Sequence, residues 1–285
     1  MHRGQGIAGN RRVDRLKHAV NQALRGTVGY QLTKAVPGTS ATTSQPADRL
    51  VPRPTFILAT ARSGSTLLRL ILDSHSQICA PHELHFRLMN VRIGDTALRD
   101  KKEVRRQQRS LEYLLWDRVL HRQLTASGKR LIVEKTPNNV FSWERLTEAW
   151  PRARFIFLLR HPAAIADSLE RWHGEPRAAV IERVRVYTAK LEEARSNLPG
   201  LTVTYEDLVT DPAATVRRVC EFLGVPFEPQ MLRYGEHQHG PFVARLGDTG
   251  SKIQSGRIDG TLALPAADGV PEPLRDISRA WGYLP

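Results

Sequence analysis

Two cysteines, Cys79 and Cys220, stand alone in 285 residues. That excludes a disulfide framework and points to a reducing compartment. No apolar run approaches the roughly 20 residues needed to span a bilayer, and the arginine-containing amino terminus lacks the continuous apolar stretch of a signal peptide. The expectation is a cytoplasmic protein with no transmembrane segment. Acidic residues are also scarce: 29 Asp and Glu against 42 Lys and Arg leave a formal charge of +13. Such a field draws polyanions, whether nucleotides, nucleic acid or acidic proteins. The nucleic-acid reading lacks a motif, with no zinc-finger spacing, no aromatic-rich ribonucleoprotein strand and no basic helix beside heptads. Internal repeats are absent.

What is present suffices for one sizeable core. At 41% hydrophobic residues, a single α/β domain of this length is ordinary. Residues 36–50 are small, polar and proline-containing, a linker composition, so the main domain is placed at 51–285 and an extension at 1–50. Within the extension, Val13, Leu16, Val20 and Leu24 recur at helical spacing among Arg11, Arg12, Arg15 and Lys17. This predicts a basic amphipathic helix over 11–25, a docking element for a partner or a helix packed on its own domain. Beyond Val51, apolar strand-like runs at 54–60, 131–134, 154–159 and 201–204 alternate with helical patterns, among them blocks at 103–125 and 176–198 whose charges read as a solvated face. The alternation predicts a parallel sheet covered by helices on both sides, with ligands at the carboxyl ends of the strands. Residues 235–260 read as loops, ahead of a short helix and Trp281-Gly282-Tyr283.

The most informative stretch is Phe56-Ile57-Leu58-Ala59-Thr60-Ala61-Arg62-Ser63-Gly64-Ser65-Thr66. An apolar strand enters a small-residue turn and a helix opens at Ser65, which gathers backbone N–H groups and a helix dipole on one anion. Against the triphosphate pattern G-x-x-x-x-G-K-[ST], residues 59–66 read Ala-x-x-x-x-Gly-Ser-Thr. The lysine that serves the β- and γ-phosphates is missing, and Arg62 supplies a cation on the turn instead. A phosphosulfate-type tail that needs no metal suits this loop better than a triphosphate. A second anion site is written at Arg154-Phe155-Ile156-Phe157-Leu158-Leu159-Arg160-His161-Pro162: the strand ends on Arg160, Pro162 is preset for a first helical turn, and Ser168 follows two turns later. Arginine and a helical hydroxyl together hold phosphate well.

This pair of segments resembles the nucleotide-dependent sulfotransferases, over roughly residues 54–235. The resemblance implies a three-layer α/β sandwich with a central parallel sheet, the P-loop-like sulfotransferase fold. It also implies a donor, 3′-phosphoadenosine 5′-phosphosulfate, that leaves as adenosine 3′,5′-bisphosphate without a metal. Arg62, Ser63, Gly64, Ser65 and Thr66 carry over to the 5′-phosphosulfate, Arg160 and Ser168 to the 3′-phosphate, and Tyr205 to the adenine. The chain is similar to sulfotransferase domains of polyketide assembly lines in its Pro-x-Glu-Leu-His run, which makes His85 a candidate base with Glu83 assisting. The likeness to protein-tyrosine sulfotransferases instead favours Glu83, and both assignments stand. A lysine in a Lys-x-Pro context is carried over as Lys135, stabilising the leaving group, although pairing with Glu134 or solvent would also account for it. The loop Gly247–Lys252 with Arg257 is placed near the 3′-phosphate. The acceptor implied is a hydroxyl on a small molecule or a carrier-bound chain in secondary metabolism. A P-loop phosphotransferase using ATP and a non-catalytic basic binding protein are the alternatives.

Overall fold

The computed structural model describes residues 48–94, 100–240, 247–248 and 250–285. The amphipathic helix expected at 11–25 lies outside these residues, as does the linker expected at 36–50 up to residue 47. Five strands form one all-parallel sheet: β1 (Thr55–Ala59), β2 (Ile78–Cys79), β3 (Leu131–Lys135), β4 (Arg154–Leu159) and β5 (Leu201–Thr204), in the spatial order β2-β3-β1-β4-β5. Thr55 of the central strand lies opposite Val133 on one side and Arg154 on the other. All five residues of β1 are buried, as expected of a parallel strand covered on both faces.

The pleat sorts the strand residues between two cores. Phe56 and Leu58 face a cluster containing Trp116, Trp150 and Leu191, whereas Ile57 and Ala59 face a cluster with Leu68, Val216 and Met231. The first face is covered by α2 (Lys101–Ser127), α3 (Trp143–Ala149) and α5 (Arg177–Asn197), and the second by α1 (Ser65–Asp73) and α7 (Pro212–Leu223). Between them, α4 (Pro162–His173) packs on α5 through a third cluster that includes Ile165, Leu169 and Val184. Helices on both faces of a parallel sheet make the three-layer α/β sandwich. Among the described residues no helix is long and apolar enough to cross a membrane, and Cys79 and Cys220 are buried and free.

Three local features depart from the sequence expectation. A short helix, α6 (Tyr205–Thr210), starts directly after β5, because the Thr204 hydroxyl accepts from Asp207 N at 3.0 Å and caps it before Pro212 opens α7. The loop region is punctuated by a 3₁₀ segment at Pro229–Glu236, which buries Met231 and Tyr234, and by α8 (Ser251–Gln254), whereas α9 (Arg275–Ala280) is the short helix expected before Trp281. One charge of the long helix α2 is not solvated: Asp117 is fully buried and accepts from Leu50 N (2.8 Å), Val51 N (3.1 Å) and Trp150 Nε1 (3.3 Å), tying residues 50 and 51 to the core.

Candidate active site

The carboxyl ends of β1, β3, β4 and β5 lie along one edge of the sheet, and each delivers one part of the site. After β1 the chain turns through two left-handed residues, Arg62 (φ 65°) and Gly64 (φ 83°). The Ser63 hydroxyl fastens the turn by donating to Thr60 O at 2.7 Å. Gly64 is required there twice over: its φ suits glycine, and a Cβ would lie 2.2 Å from Tyr205 Cδ2. An L-residue such as Arg62 holds this conformation only when its surroundings enforce it, which is common at ligand clamps. No side chain among the described residues caps α1. Its first N–H groups are left for an anion.

Arg62, expected at the first site, reaches the residues expected at the second. Its Nε donates to Ser168 Oγ (3.1 Å), its Nη1 pairs with Asp248 (2.8 Å), and its guanidinium lies 4.5 Å from the Trp172 ring centroid. At the end of β4, Arg160 Nη1 donates to Arg62 O at 2.6 Å and the guanidinium sits 4.3 Å over the Tyr205 ring. Arg160 Nε is buried and has no hydrogen-bond partner among the described residues. Burial holds the Arg160 pKa below its ordinary value, with Tyr205 and Glu206 opposing that shift.

The third part stands at the end of β3. Lys135 is buried to 1% exposure and forms an ion pair with Glu83; His85 Nε2 lies 3.4 Å from the other Glu83 oxygen. Burial lowers the Lys135 pKa, and the Glu83 charge works against that. Lys135 therefore pairs with Glu83 rather than Glu134. The latter carboxyl performs a different task. Fully buried, it accepts from Leu84 N (3.2 Å), Thr136 Oγ1 (2.5 Å) and Asn139 Nδ2 (2.5 Å), while Thr136 Oγ1 accepts from His85 N (3.3 Å). This network fixes the segment carrying Glu83 and His85, where His85 is left-handed at φ 50°. Burial pushes the Glu134 pKa up to about 7, against the opposing effect of these hydrogen bonds and of Lys135.

These parts line one cavity of about 680 Å³, reached by Arg62, Gly64, Ser65, Thr66, Glu83, Lys135, Arg160, Ser168 and Tyr205. Ser63 and His85 are not part of its lining; the first braces the turn and the second contacts Glu83. The late loop joins through Gly247, Asp248, Lys252 and Arg257, and Asp248 N donates to Thr66 Oγ1 at 3.0 Å. Six cationic side chains (Arg62, Lys135, Arg160, Arg171, Lys252, Arg257) face three carboxylates (Glu83, Asp248, Asp259) in this lining, so the site favours an anion. Sequence reading placed the loop of Asp248 near this site but not its pairing with Arg62, took Glu134 only as a partner for Lys135, and missed Trp172. Trp172 left a signal as the residue four after Ser168 on one face of α4.

A strand-turn-helix loop, a strand-end arginine stacked on an aromatic ring and a buried lysine-carboxylate pair meet in one cavity of a P-loop-like fold. The chain belongs to the sulfotransferase family, whose family profile matches residues 54–229. It is similar to the nodulation protein NoeE of Sinorhizobium fredii, 32% identical over 133 residues, covering 42% of this chain and 32% of that protein. Protein-tyrosine sulfotransferase A of Caenorhabditis elegans is 24% identical over 201 residues, covering 63% of this chain and 52% of that one. The chain thus spans between a third and about half of these relatives' lengths. Among solved structures, the sulfotransferase domain from the curacin biosynthetic pathway superposes with a TM-score of 0.63 at 25% identity, covering 83% of this chain and 100% of that domain.

Proposed function

We infer that the protein transfers a sulfonyl group from 3′-phosphoadenosine 5′-phosphosulfate to a hydroxyl of a small-molecule or carrier-tethered acceptor. The observation that carries this reading is the buried Arg160 Nε, without a hydrogen-bond partner among the described residues, on a guanidinium that stacks on Tyr205 and is linked through Arg62 to Ser168 and the β1–α1 loop. A donor with anionic groups at both ends of one ribose needs two cationic sites sharing one cavity, and a 3′-phosphate gives Arg160 its missing partner. The α1 N-terminus and Thr66 hold the phosphosulfate, Arg62 joins the two ends through Ser168 and Arg160, and Tyr205 packs the adenine side. The acceptor oxygen forms a bond to sulfur as the bond from sulfur to the bridging oxygen breaks. Lys135 meets the charge that develops on that oxygen. The acceptor's proton passes to the Glu83–His85 pair: Glu83 faces the cavity and His85 holds its second oxygen, so Glu83 is the nearer base.

The likeness to a domain from a biosynthetic pathway supports a hydroxyl on a carrier-bound or small-molecule intermediate. ATP chemistry is disfavoured by Ser65, which stands where a triphosphate loop carries its lysine. Thermal unfolding with adenosine 3′,5′-bisphosphate, compared with ATP and magnesium, tests the reading. A ligand at a hundred times its Kd stabilises the native state by about 2.7 kcal/mol. Stabilisation by the bisphosphate alone is expected; stabilisation by ATP with magnesium and none by the bisphosphate would defeat it.

A further inference from the structure

Arg160 follows β4, Ser168 sits on α4 and Tyr205 opens α6 after β5. One carboxylate joins these three elements. Glu206, the residue after Tyr205, accepts from the backbone N–H of His161, the residue after Arg160, at 3.0 Å. His161 is 2% exposed, and its Nδ1 accepts from Ala163 N at 3.2 Å, which caps the helix that carries Ser168. Burial lowers the His161 pKa, keeping a lone pair for this cap. The second Glu206 oxygen is taken by Tyr283, whose hydroxyl donates at 2.6 Å and whose ring packs on His161 with centroids 5.0 Å apart. Burial and the Glu206 charge raise the Tyr283 pKa, so the phenol remains a donor. Trp281 anchors the segment, its Nε1 donating to Glu192 Oε2 of α5 at 2.8 Å. Neither Glu206, His161 nor Tyr283 lines the large cavity.

Both oxygens of Glu206 thus have donors. The carboxylate is near enough for its charge to act on Arg160, and a free oxygen would be drawn to that guanidinium, whose Nε has no hydrogen-bond partner among the described residues. With both oxygens engaged, the carboxylate fixes residues 160–161 against 205–206 without competing for Arg160. We propose that Glu206, held by Tyr283, is the positioning residue of the 3′-phosphate site: it keeps Arg160 stacked on Tyr205 and leaves Arg160 Nε for the phosphate. The proposal rests on the sulfonyl-transfer reading and adds to it two residues outside the cavity.

Isothermal titration with adenosine 3′,5′-bisphosphate and adenosine 5′-monophosphate tests it, since the preference for the first over the second reports the 3′-phosphate site alone. Glu206→Ala removes the acceptor of His161 N and should lower that preference by on the order of tenfold, because a displaced guanidinium loses a hydrogen bond to a charged partner. Glu206→Gln keeps an oxygen for His161 N, and its NH₂ can donate to the Tyr283 oxygen, so the preference should stay within about threefold of wild type. Tyr283→Phe retains the ring but frees Glu206 Oε2 for Arg160. It should lower the preference several-fold, and adding Glu206→Gln should restore it, as the amide carries no charge. A packing role alone would lower the melting temperature and leave the preference untouched. Thermal unfolding reports that each variant has folded, and Tyr283→Phe with its rescue decides the matter if Glu206→Ala does not fold. A preference unchanged in folded Tyr283→Phe, or lowered as much by Glu206→Gln as by Glu206→Ala, overturns the proposal while leaving the donor reading standing. Equal affinities for the two nucleotides in the wild type remove the donor reading, and the proposal falls with it.

Discussion

Replacing Glu134 by glutamine should change how stability depends on pH, and the size of the change follows from the burial of this group. The carboxyl is fully buried and its pKa is raised from 4.5 to about 7. Between these values the native state keeps the proton that the unfolded chain has lost, so ν_U − ν_N is near −1 and stability falls as pH rises, by about 1.4 kcal/mol per unit. The favourable contribution is complete below pH 4.5 and is lost as pH climbs through 7. Across pH 5 to 8 the difference in unfolding free energy between the wild type and Glu134→Gln should therefore move by about 2–3 kcal/mol toward the variant. Every other carboxylate titrates alike in both proteins and cancels. The substituted amide retains an oxygen for Leu84 N and Thr136 Oγ1, and Asn139 can turn its own oxygen to the new NH₂ group. Urea unfolding at half-unit pH intervals reads the difference directly. Parallel curves, with a difference constant to about 0.5 kcal/mol, would show that Glu134 titrates in the native state as in the unfolded chain.

Removing Lys135 leaves Glu83 with only His85 beside it, so Lys135→Ala should cost about 2–3 kcal/mol of stability along with turnover; an unfolding free energy within 1 kcal/mol of wild type would contradict the pair. Asp248→Asn frees Arg62 from a competing carboxylate. It should tighten bisphosphate binding by roughly fivefold, the equivalent of about 1 kcal/mol, and weaker binding in a titration would show that Asp248 assists the ligand instead. At Gly64, alanine meets both the left-handed backbone and the Tyr205 ring at 2.2 Å. A loss of at least about 1–2 kcal/mol by thermal unfolding is expected, and an unchanged melting temperature would argue against that packing.

The sheet was legible because each strand is a short apolar run bounded by turn chemistry, and the strand ends were legible because Arg62, Lys135 and Arg160 break such runs at the edge where ligands bind. Local patterns carried this much. Contacts between distant segments did not show. Asp248 reaches Arg62 from 186 positions away; the loop 247–252 was placed near the 3′-phosphate, but nothing in it says that the carboxylate pairs with Arg62. Glu134 read as a partner for its neighbour Lys135, yet adjacent strand residues point to opposite faces, and each found its partners in the segment 83–85. Asp117 went unnoticed for the same reason, since a charge on a highly charged helix reads as solvated until the backbone of Leu50 and Val51 arrives above it.

The central claim is that Arg160 and Ser168 hold a 3′-phosphate while the β1–α1 loop holds the 5′ end. Isothermal titration of the wild type and Arg160→Ala with adenosine 3′,5′-bisphosphate and with adenosine 5′-monophosphate tests it most directly. One charge-assisted hydrogen bond contributes about 1.5–3 kcal/mol, so the wild type should prefer the bisphosphate by about tenfold to a hundredfold. Arg160→Ala should lose most of that preference while binding the monophosphate nearly as before. Equal affinities for the two nucleotides in the wild type, or a preference that survives in Arg160→Ala, would contradict the account.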